Sequence, residues 1–428
     1  MLEVAGERVK VAVVQRMLSK SEYNLDELKE LCKTAGYEPV YSITQVRHPH
    51  PRYHIGPGKV EELRKAVKNL GIQKVIFENE IKPVQEYNLA KSLGVPVISR
   101  TQLILEIFTQ HAASTEAKLQ IKLAELKYEL SRAKEKVRLA KKGEQPGFHG
   151  LGAYEADIYY DEVSRRISTI VDKLEDIKRR RNLFRRRRAE HGIPAVSLTG
   201  YTNAGKSTLF NVLTRESVPV SPQLFTTLST TTRIVRVAGK KAYLSDTVGF
   251  IKNLPPLLVD AFNSTLSELI YADLILLVVD ASEPTDVMGN KINSSLDVLD
   301  DIGVDNVPVL LVFNKIDKLS SNDELEKKIS QLGVGLRYVA VSALCGMNID
   351  ELERSIAEMM GGYIRVEARL DNGTTIYPLL TEVKENCHVI KLEFDGSHVD
   401  MDIEAPIHIA EKIRKVASGF RVVDGHAV

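Results

Sequence analysis

Short apolar runs and amphipathic stretches alternate regularly through the first quarter of the chain. Residues 9–14, 39–46, 74–78 and 95–99 read as strands, while 25–34, 59–70, 84–93 and 102–111 carry the helical spacing of apolar positions. Strand and helix alternating at this interval predict a parallel sheet covered on both faces. Gly56, Pro57 and Gly58 precede one of these helices. Such a start suits an anion or RNA phosphate, and suits a plain turn equally well.

The pattern then changes. Leu119, Leu123, Leu126, Leu130, Ala133, Val137 and Ala140 step by four and three, as do Val163, Ile167, Ile170, Leu174 and Ile177. Two heptad stripes of this kind predict helices packed as an antiparallel hairpin. The connector over 141–157 contains Gly143, Pro146, Gly147, Gly150 and Gly152, which would make it the exposed tip.

Beyond the hairpin, compact apolar runs at 195–198, 274–279 and 309–313 read as buried strands. All fall far below the roughly 18 to 20 residues that span a bilayer, so no membrane role is expected. The last part reads as a strand over 364–370, a turn at Asp371, Asn372 and Gly373, a helix over 377–383, strands over 389–394 and 399–403, and a helix over 406–416. Pro378 fits the first turn of its helix, with a hairpin strand as the rival reading.

Composition changes this picture little. A chain of 428 residues with 43% hydrophobic and 27% charged residues is long enough for two to four globular domains and has no disordered bias. Cys32, Cys345 and Cys387 lie far apart, which argues against a metal site or disulfide framework and for a reducing, cytoplasmic compartment. The charged N-terminus quickly enters an apolar strand, unlike a signal peptide. Net charge is only +1, but Lys178, Arg179, Arg180, Arg181, Arg185, Arg186, Arg187 and Arg188 form a basic tract at the end of the second hairpin helix. A tract of this density favours RNA over a merely solvated face.

Chemistry concentrates where the compact strands end. Gly200, Tyr201, Thr202, Asn203, Ala204, Gly205, Lys206 and Ser207 follow the strand over 195–198 and open a helix through Thr208, the setting of a phosphate loop. Its glycines let backbone N–H groups face the phosphates, Lys206 would reach the β- and γ-phosphates, and the Ser207 hydroxyl would ligate Mg2+. Asp246, Thr247, Val248 and Gly249 follow the next strand; Asp246 would hold Mg2+ through water, and the Gly249 N–H would meet the γ-phosphate. Asn314, Lys315 and Asp317 decide the base. A carboxylate at Asp317 can accept from both the ring N–H and the exocyclic amine of guanine, a donor pair adenine lacks. Ser342, Ala343 and Leu344 would close the base pocket. Motifs in this order specify a GTPase that binds GTP and GDP.

Between the first two motifs lies Leu224-Phe225-Thr226-Thr227-Leu228, followed by Thr230, Thr231 and Thr232. One of these five hydroxyls should complete the Mg2+ shell when the γ-phosphate is present and release the loop after hydrolysis. Phe250 stands where many GTPases carry a water-orienting glutamine, so isolated turnover should be slow. Asn203 is a candidate contributor to a stimulating K+ site, with a hydrogen-bonded loop residue as the stronger alternative.

These motifs, together with Phe225-Thr226-Thr227-Leu228 and the N-terminal run from His48-Pro49-His50-Pro51-Arg52-Tyr53 to Gly56-Pro57-Gly58-Lys59, resemble the HflX family of translational GTPases over nearly the whole chain. The resemblance implies that Thr227 is the switch ligand of Mg2+ and, with Lys206 and Gly249, part of the hydrolytic centre. It also implies binding to the large ribosomal subunit and its rRNA, with dissociation or rescue of ribosomes, by a protein expected to be monomeric. The connector departs from the family's Arg-Gly-Pro-Gly-Glu-type loop, reading Pro146-Gly147-Phe148-His149-Gly150-Leu151-Gly152 instead.

The expected fold is therefore α/β in four parts: a parallel α/β domain over 1–113, a long antiparallel helical hairpin over 114–191, a P-loop GTPase domain with a mixed sheet over 192–361, and a small α/β domain over 362–428. A ribosome-stimulated GTPase leads. A GTPase acting on another RNA assembly, and an RNA remodeller merely regulated by GTP, are the rivals.

Overall fold

The computed structural model describes residues 8–424 apart from 20–22, 24, 113, 142–152, 191, 216–230, 248, 251–267, 305 and 372–375. Strands β1 (Val9–Met17), β2 (Tyr37–Val46), β3 (Lys74–Phe77) and β4 (Val97–Ser99) form a wholly parallel sheet in the order β2-β1-β3-β4. Helices α1 (Leu25–Thr34), α2 (Pro57–Leu70), α3 (Pro83–Leu93) and α4 (Arg100–His111) connect these strands and lead out of the last. Leu63 and Val67 of α2 and Leu89 of α3 pack on Ala12, Val14 and Phe77, while α1 and α4 pack together and also touch β1 and β3 respectively. Val11 to Val14 are all fully buried, because a parallel strand covered on both faces has no solvent side. Each large apolar side chain so buried contributes about 1.5–3 kcal/mol relative to exposure.

The hairpin is made of α5 (Thr115–Lys141) and α6 (Ala153–Glu190). The Tyr159 hydroxyl of α6 hydrogen-bonds Glu129 of α5. At 38 residues α6 is about 57 Å long. One detail of the sequence pattern is corrected. Of the expected stripe, Leu126 and Ala133 are buried while Leu119, Leu123 and Leu130 are only half-buried, and the buried face of α5 also takes in Ala117, Ile121 and Ala124. The reason is packing against α4 and α3, which rotates the dry face toward small residues that allow close approach. On α6 the expected stripe holds at Val163, which is buried, and at Ile167, Ile170, Leu174 and Ile177, which are half-buried. Of the connector expected over 141–157, residues 142–152 lie outside the described residues, Lys141 is the last residue of α5, and Ala153 to Asp157 already belong to α6, so the helices reach further into it than the glycines suggested.

The central sheet contains β5 (Ala195–Gly200), β6 (Thr231–Val237), β7 (Lys240–Asp246), β8 (Leu274–Asp280), β9 (Val309–Asn314) and β10 (Tyr338–Ala340), in the order β10-β9-β8-β5-β7-β6. It is mixed: β6 pairs antiparallel with β7, and every other pairing is parallel. Leu209, Phe210 and Leu213 of α7 (Lys206–Thr214) share one core with Leu352 and Ile356 of α10 (Ile349–Met359). On the opposite face, Met288 and Ile292 of α8 (Thr285–Asp301) and Leu325 of α9 (Asn322–Leu332) pack on Leu277, Leu311 and Phe313. Parallel pairing brings the ends of β5, β7, β8 and β9 to one edge. Gly200, Asp246, Asp280 and Asn314 are the terminal residues there, where ligands of open α/β sheets bind.

The last sheet is wholly antiparallel: β11 (Tyr363–Asp371), β12 (His388–Asp395), β13 (His398–Pro406) and β14 (Gly419–Asp424) lie in the order β12-β13-β11-β14. Alternation is clean. Val366, Ala368 and Leu370 of β11 and Val399, Met401 and Ile403 of β13 turn toward α11 (Ile376–Asn386) and α12 (Ile407–Val416). The other face carries Arg365 paired with Asp402 and Arg369 paired with Asp400. Pro378 sits in the first turn of α11, where its missing N–H costs nothing.

Candidate nucleotide site

Two glycines shape the loop after β5, and neither position tolerates a side chain. Gly200 has φ +132°, and a Cβ there would lie 2.2 Å from the Val278 carbonyl oxygen. Gly205 has φ +92°, and its Cβ would lie 2.2 Å from Asn314 Nδ2. Asn203 adopts φ 64°, a left-handed conformation asparagine tolerates better than most residues. The loop curls over the start of α7, so the helix's first N–H groups and positive dipole end face the same concavity.

Lys206 opens α7 and is buried, with Nζ donating to the Tyr201 carbonyl at 2.8 Å. Burial pushes its amine down to about 8; Asp246 pulls the other way and Lys315 adds to the fall. A Cβ on Gly249 would sit 2.7 Å from Lys206 Nζ and 3.0 Å from Thr202 Cγ2, so only glycine lets the backbone come this close to the lysine. Ser207 Oγ donates to Asp246 Oδ2 at 3.1 Å. Hydroxyl and carboxylate are the hard oxygen donors that Mg2+ takes, and the pair fits that ion.

After Asp246 the chain turns back to the phosphate loop. Phe250 donates its N–H to the Gly200 carbonyl at 3.0 Å, and its own carbonyl accepts from the Thr202 N–H at 2.9 Å. Its ring is buried, so the residue in the water-orienting position is a packed anchor. The Thr247 hydroxyl is buried too and donates to the Leu198 carbonyl at 2.7 Å. Its side chain braces β7 against β5 and does not enter the concavity.

The base end is a set of braces around one exposed carboxylate. Asn314 is buried; its Nδ2 donates to the Ala204 carbonyl at 2.9 Å and its Oδ1 accepts from the Ala343 N–H at 3.0 Å. It ties the phosphate loop to the base loop and does not face solvent. Lys315, at φ 68°, donates to the Asn203 carbonyl and to Asp280 Oδ2, each at 2.6 Å. Ser342 Oγ donates to Asp317 Oδ1 at 2.6 Å and accepts from the Cys345 N–H at 3.1 Å. Asp317 itself is exposed in the middle of a short 3-10 turn, Ile316–Lys318, with its carboxylate oriented by Ser342.

Thus Gly200 to Ser207, Asp246, Gly249, Asn314, Lys315, Asp317, Ser342 and Ala343 converge on one edge of the sheet. Leu344 sits beside them and is 79% exposed. Phe225, Thr226, Thr227 and Val248 lie outside the described residues. Sequence reasoning missed Asp280. Burial works against its ionised form, but Lys315 and Ser282 hold its carboxyl below the usual range, so it stays charged and fixes Lys315. Its signal was present: it is the lone acid closing the apolar run of β8.

Three family descriptions match in series: "GTP-binding GTPase N-terminal" over residues 22–109, "GTP-binding GTPase Middle Region" over 111–188, and "50S ribosome-binding GTPase" over 195–315. The GTPase HflX of Thermofilum pendens is 46% identical over 355 residues, covering 82% of this chain and 84% of that protein. The GTPase HflX of Caldanaerobacter subterraneus is 38% identical over 420 residues, covering 97% and 95%. Among solved structures, a GTP-binding protein from Sulfolobus solfataricus in complex with GDP is 30% identical, covering 82% of this chain and 98% of that one, with a TM-score of 0.45.

Proposed function

The chain belongs to the HflX family of GTPases, and we propose that it uses its nucleotide state to bind and leave the large ribosomal subunit, helping to dissociate, rescue or recycle ribosomes. It is a GTP hydrolase. The observation that carries the ribosomal reading is the match of residues 195–315 to a family described as a 50S ribosome-binding GTPase. A second feature supports it: Lys178, Arg179 and Arg180 are exposed on α6 and could gain affinity for rRNA by releasing its counterions. The neighbouring residues Arg185 to Arg188 extend that tract in the sequence.

The geometry of the described residues, with the motifs of the sequence, supports the following roles. Backbone N–H groups from Asn203 to Thr208 and the start of α7 would cradle the phosphates, with Lys206 on the β- and γ-phosphates. Asp317 would accept from guanine, held in line by Ser342, while Asn314 keeps the phosphate and base loops at a fixed spacing. Ser207, Asp246 and Thr227 would hold Mg2+, which when bound supplies positive charge against the β- and γ-phosphate oxygens. The Gly249 N–H would meet the γ-phosphate. Tyr201, Phe225, Thr226, Val248, Lys315, Ala343 and Leu344 would complete the nucleotide's surroundings, with Thr247 bracing them from behind, and Asn203 would serve as a hydrogen-bonded loop residue first, a K+ ligand being the alternative.

Phe250 brings no donor or acceptor to an attacking water, so turnover would wait for the ribosome to supply one. We assign residues 1–113, 114–191, 192–361 and 362–428 to the four domains of a cytoplasmic monomer. No helix among the described residues is long and apolar enough to cross a membrane. Co-sedimentation with purified subunits and whole ribosomes in GTP, GDP and a non-hydrolysable analogue tests the reading. GTP-dependent pelleting with the large subunit and faster hydrolysis are expected; equal recovery from all particles in all nucleotides would refute it.

A further inference from the structure

The β6–β7 hairpin runs from the loop that carries the switch threonines to the metal-binding aspartate. Thr231, the first residue of β6, pairs directly with Asp246, the last of β7. At the other end, about 20 Å away, the hairpin turns through Ala238 and Gly239. That distant turn is not free. It is gripped by residues of the last sheet and its helices.

The grip is polar and specific. The Tyr363 hydroxyl accepts from the Lys241 N–H at 2.9 Å and donates to the Lys241 carbonyl at 3.1 Å, so one side chain satisfies both backbone groups of a β7 residue. Lys241 Nζ donates to Asn386 Oδ1 at 2.9 Å, and Arg236 Nη2 donates to the Glu385 carbonyl at 2.6 Å. Lys240 Nζ lies 3.0 Å from Glu404 Oε1 and donates to the Ala357 carbonyl at 3.1 Å. Glu404 also accepts from His388 Nδ1 at 2.9 Å, and the His388 ring closes over the turn so tightly that a Cβ on Gly239 would lie 2.1 Å from it.

We propose that this clamp makes Tyr363 and Glu404 positioning residues for the GTP site: the C-terminal sheet holds the β6–β7 hairpin in the register that presents Asp246, and reads the nucleotide state through the same hairpin. The argument is mechanical. Paired strands slide as a unit, because backbone hydrogen bonds resist independent motion of either strand. A pull on the switch loop at Thr231 is therefore delivered to the far turn, and a load on the turn returns to Asp246. Coupling of this kind is reciprocal by thermodynamic necessity. The clamp keeps its charges across physiological pH. Burial pushes the Tyr363 phenol up to about 12, so it remains a donor. Burial opposes ionisation of Glu404, but His388 and Lys240 hold its carboxyl below the usual range.

This inference rests on GTP hydrolysis by the chain and not on its ribosomal partner, so it is tested with the isolated full-length protein. Amide hydrogen exchange over residues 385–404 should differ between the GDP-bound and GTP-analogue-bound forms of the wild type. Tyr363→Phe, which keeps the ring, and Glu404→Gln, which keeps the shape, should shrink that difference and change the GTP-analogue to GDP affinity ratio by about fivefold or more. Thermal stability, followed in parallel, reports any loss of folding; a merely structural clamp would lower it and leave the affinity ratio unchanged. Identical exchange over 385–404 in both nucleotide states of the wild type overturns the proposal, as does a wild-type affinity ratio in both folded variants.

Discussion

Two helices in this chain start beside glycine at the carboxyl end of a parallel sheet, and only one start is built for phosphate. At α7 the glycines clear space: side chains at Gly200, Gly205 or Gly249 would strike the Val278 carbonyl, Asn314 or Lys206. At α2 the opening is filled. The Gly56 N–H is taken by Gln45 Oε1 at 2.8 Å, and the Arg47 guanidinium stands where a Cβ on Gly56 would be, at 2.2 Å. His54, two residues before Gly56, is buried and accepts from Arg16 Nε at 3.1 Å. A glycine before a helix is a statement about space; what occupies the space decides whether an anion enters.

The largest test of that contrast deletes the cation from each start. Lys206→Ala should weaken GTP binding by about a hundredfold or more, since it removes a buried partner of the phosphates. Arg47→Ala should leave GTP affinity at the wild-type value. Titration with a fluorescent GTP analogue measures both, and a comparable loss from Arg47→Ala would make α2 part of a nucleotide site.

Next in size is the base. Asp317→Asn keeps an oxygen for the ring N–H but presents an amide donor to the 2-position, where guanine carries an amine and xanthine a carbonyl oxygen, so preference should move toward xanthine nucleotides by about thirtyfold. Competition of XTP and GTP for the same site checks it. Unchanged GTP affinity would take Asp317 out of the base pocket and leave the α7 site without a specificity element.

What was legible in the sequence divides along the same line. Phosphate and guanine impose residue types at fixed spacings, so Lys206, Ser207, Asp246, Asn314 and Asp317 could be found without coordinates. The alternating strands were legible because burial on both faces demands continuous apolar runs, as in β1 and β8. Residues whose partners lie far along the chain were not. Asp280 matters through Lys315, the dry face of α5 is set by α3 and α4, and Gln45 meets Gly56 across a strand end. The final strand β14 was also missed: Gly419, Arg421 and Asp424 give it a weak apolar signal, and pairing with β11 supplies what its sequence lacks.

A smaller effect separates the two starts by pH, and it appears first in stability. Burial, with Arg16 reinforcing it, pushes His54 down to about 4 from an ordinary value near 6.5. Its folded form thus binds the proton less readily than its unfolded form. The associated stability is complete above about pH 6.5 and is lost as pH falls through that value toward 4. At pH 5 the loss would be on the order of 2 kcal/mol. Amide exchange in β1 and α2 should accelerate accordingly between pH 7 and pH 5, after correction for intrinsic rates, and His54→Gln should abolish that dependence.

The smallest effect concerns Lys206, whose displacement has the same sign and the same leading cause, burial. Its amine is pushed down to about 8 by burial among groups arranged for a polyanion. Phosphate would restore the charge, so binding GTP above pH 8 must include uptake of a proton. Affinity should therefore be flat between pH 6.5 and 7.5 and fall by about tenfold from pH 7 to pH 9, because the free site must first be reprotonated. Calorimetry in two buffers of different ionisation enthalpy would show the uptake directly, with about one proton taken up per GTP at pH 9. An affinity that does not change from pH 7 to pH 9 would mean that Lys206 stays charged in the free protein. The contrast between the two helix starts would then rest on shape alone, on the space left by Gly200, Gly205 and Gly249, and not on a charge held in readiness for the phosphates.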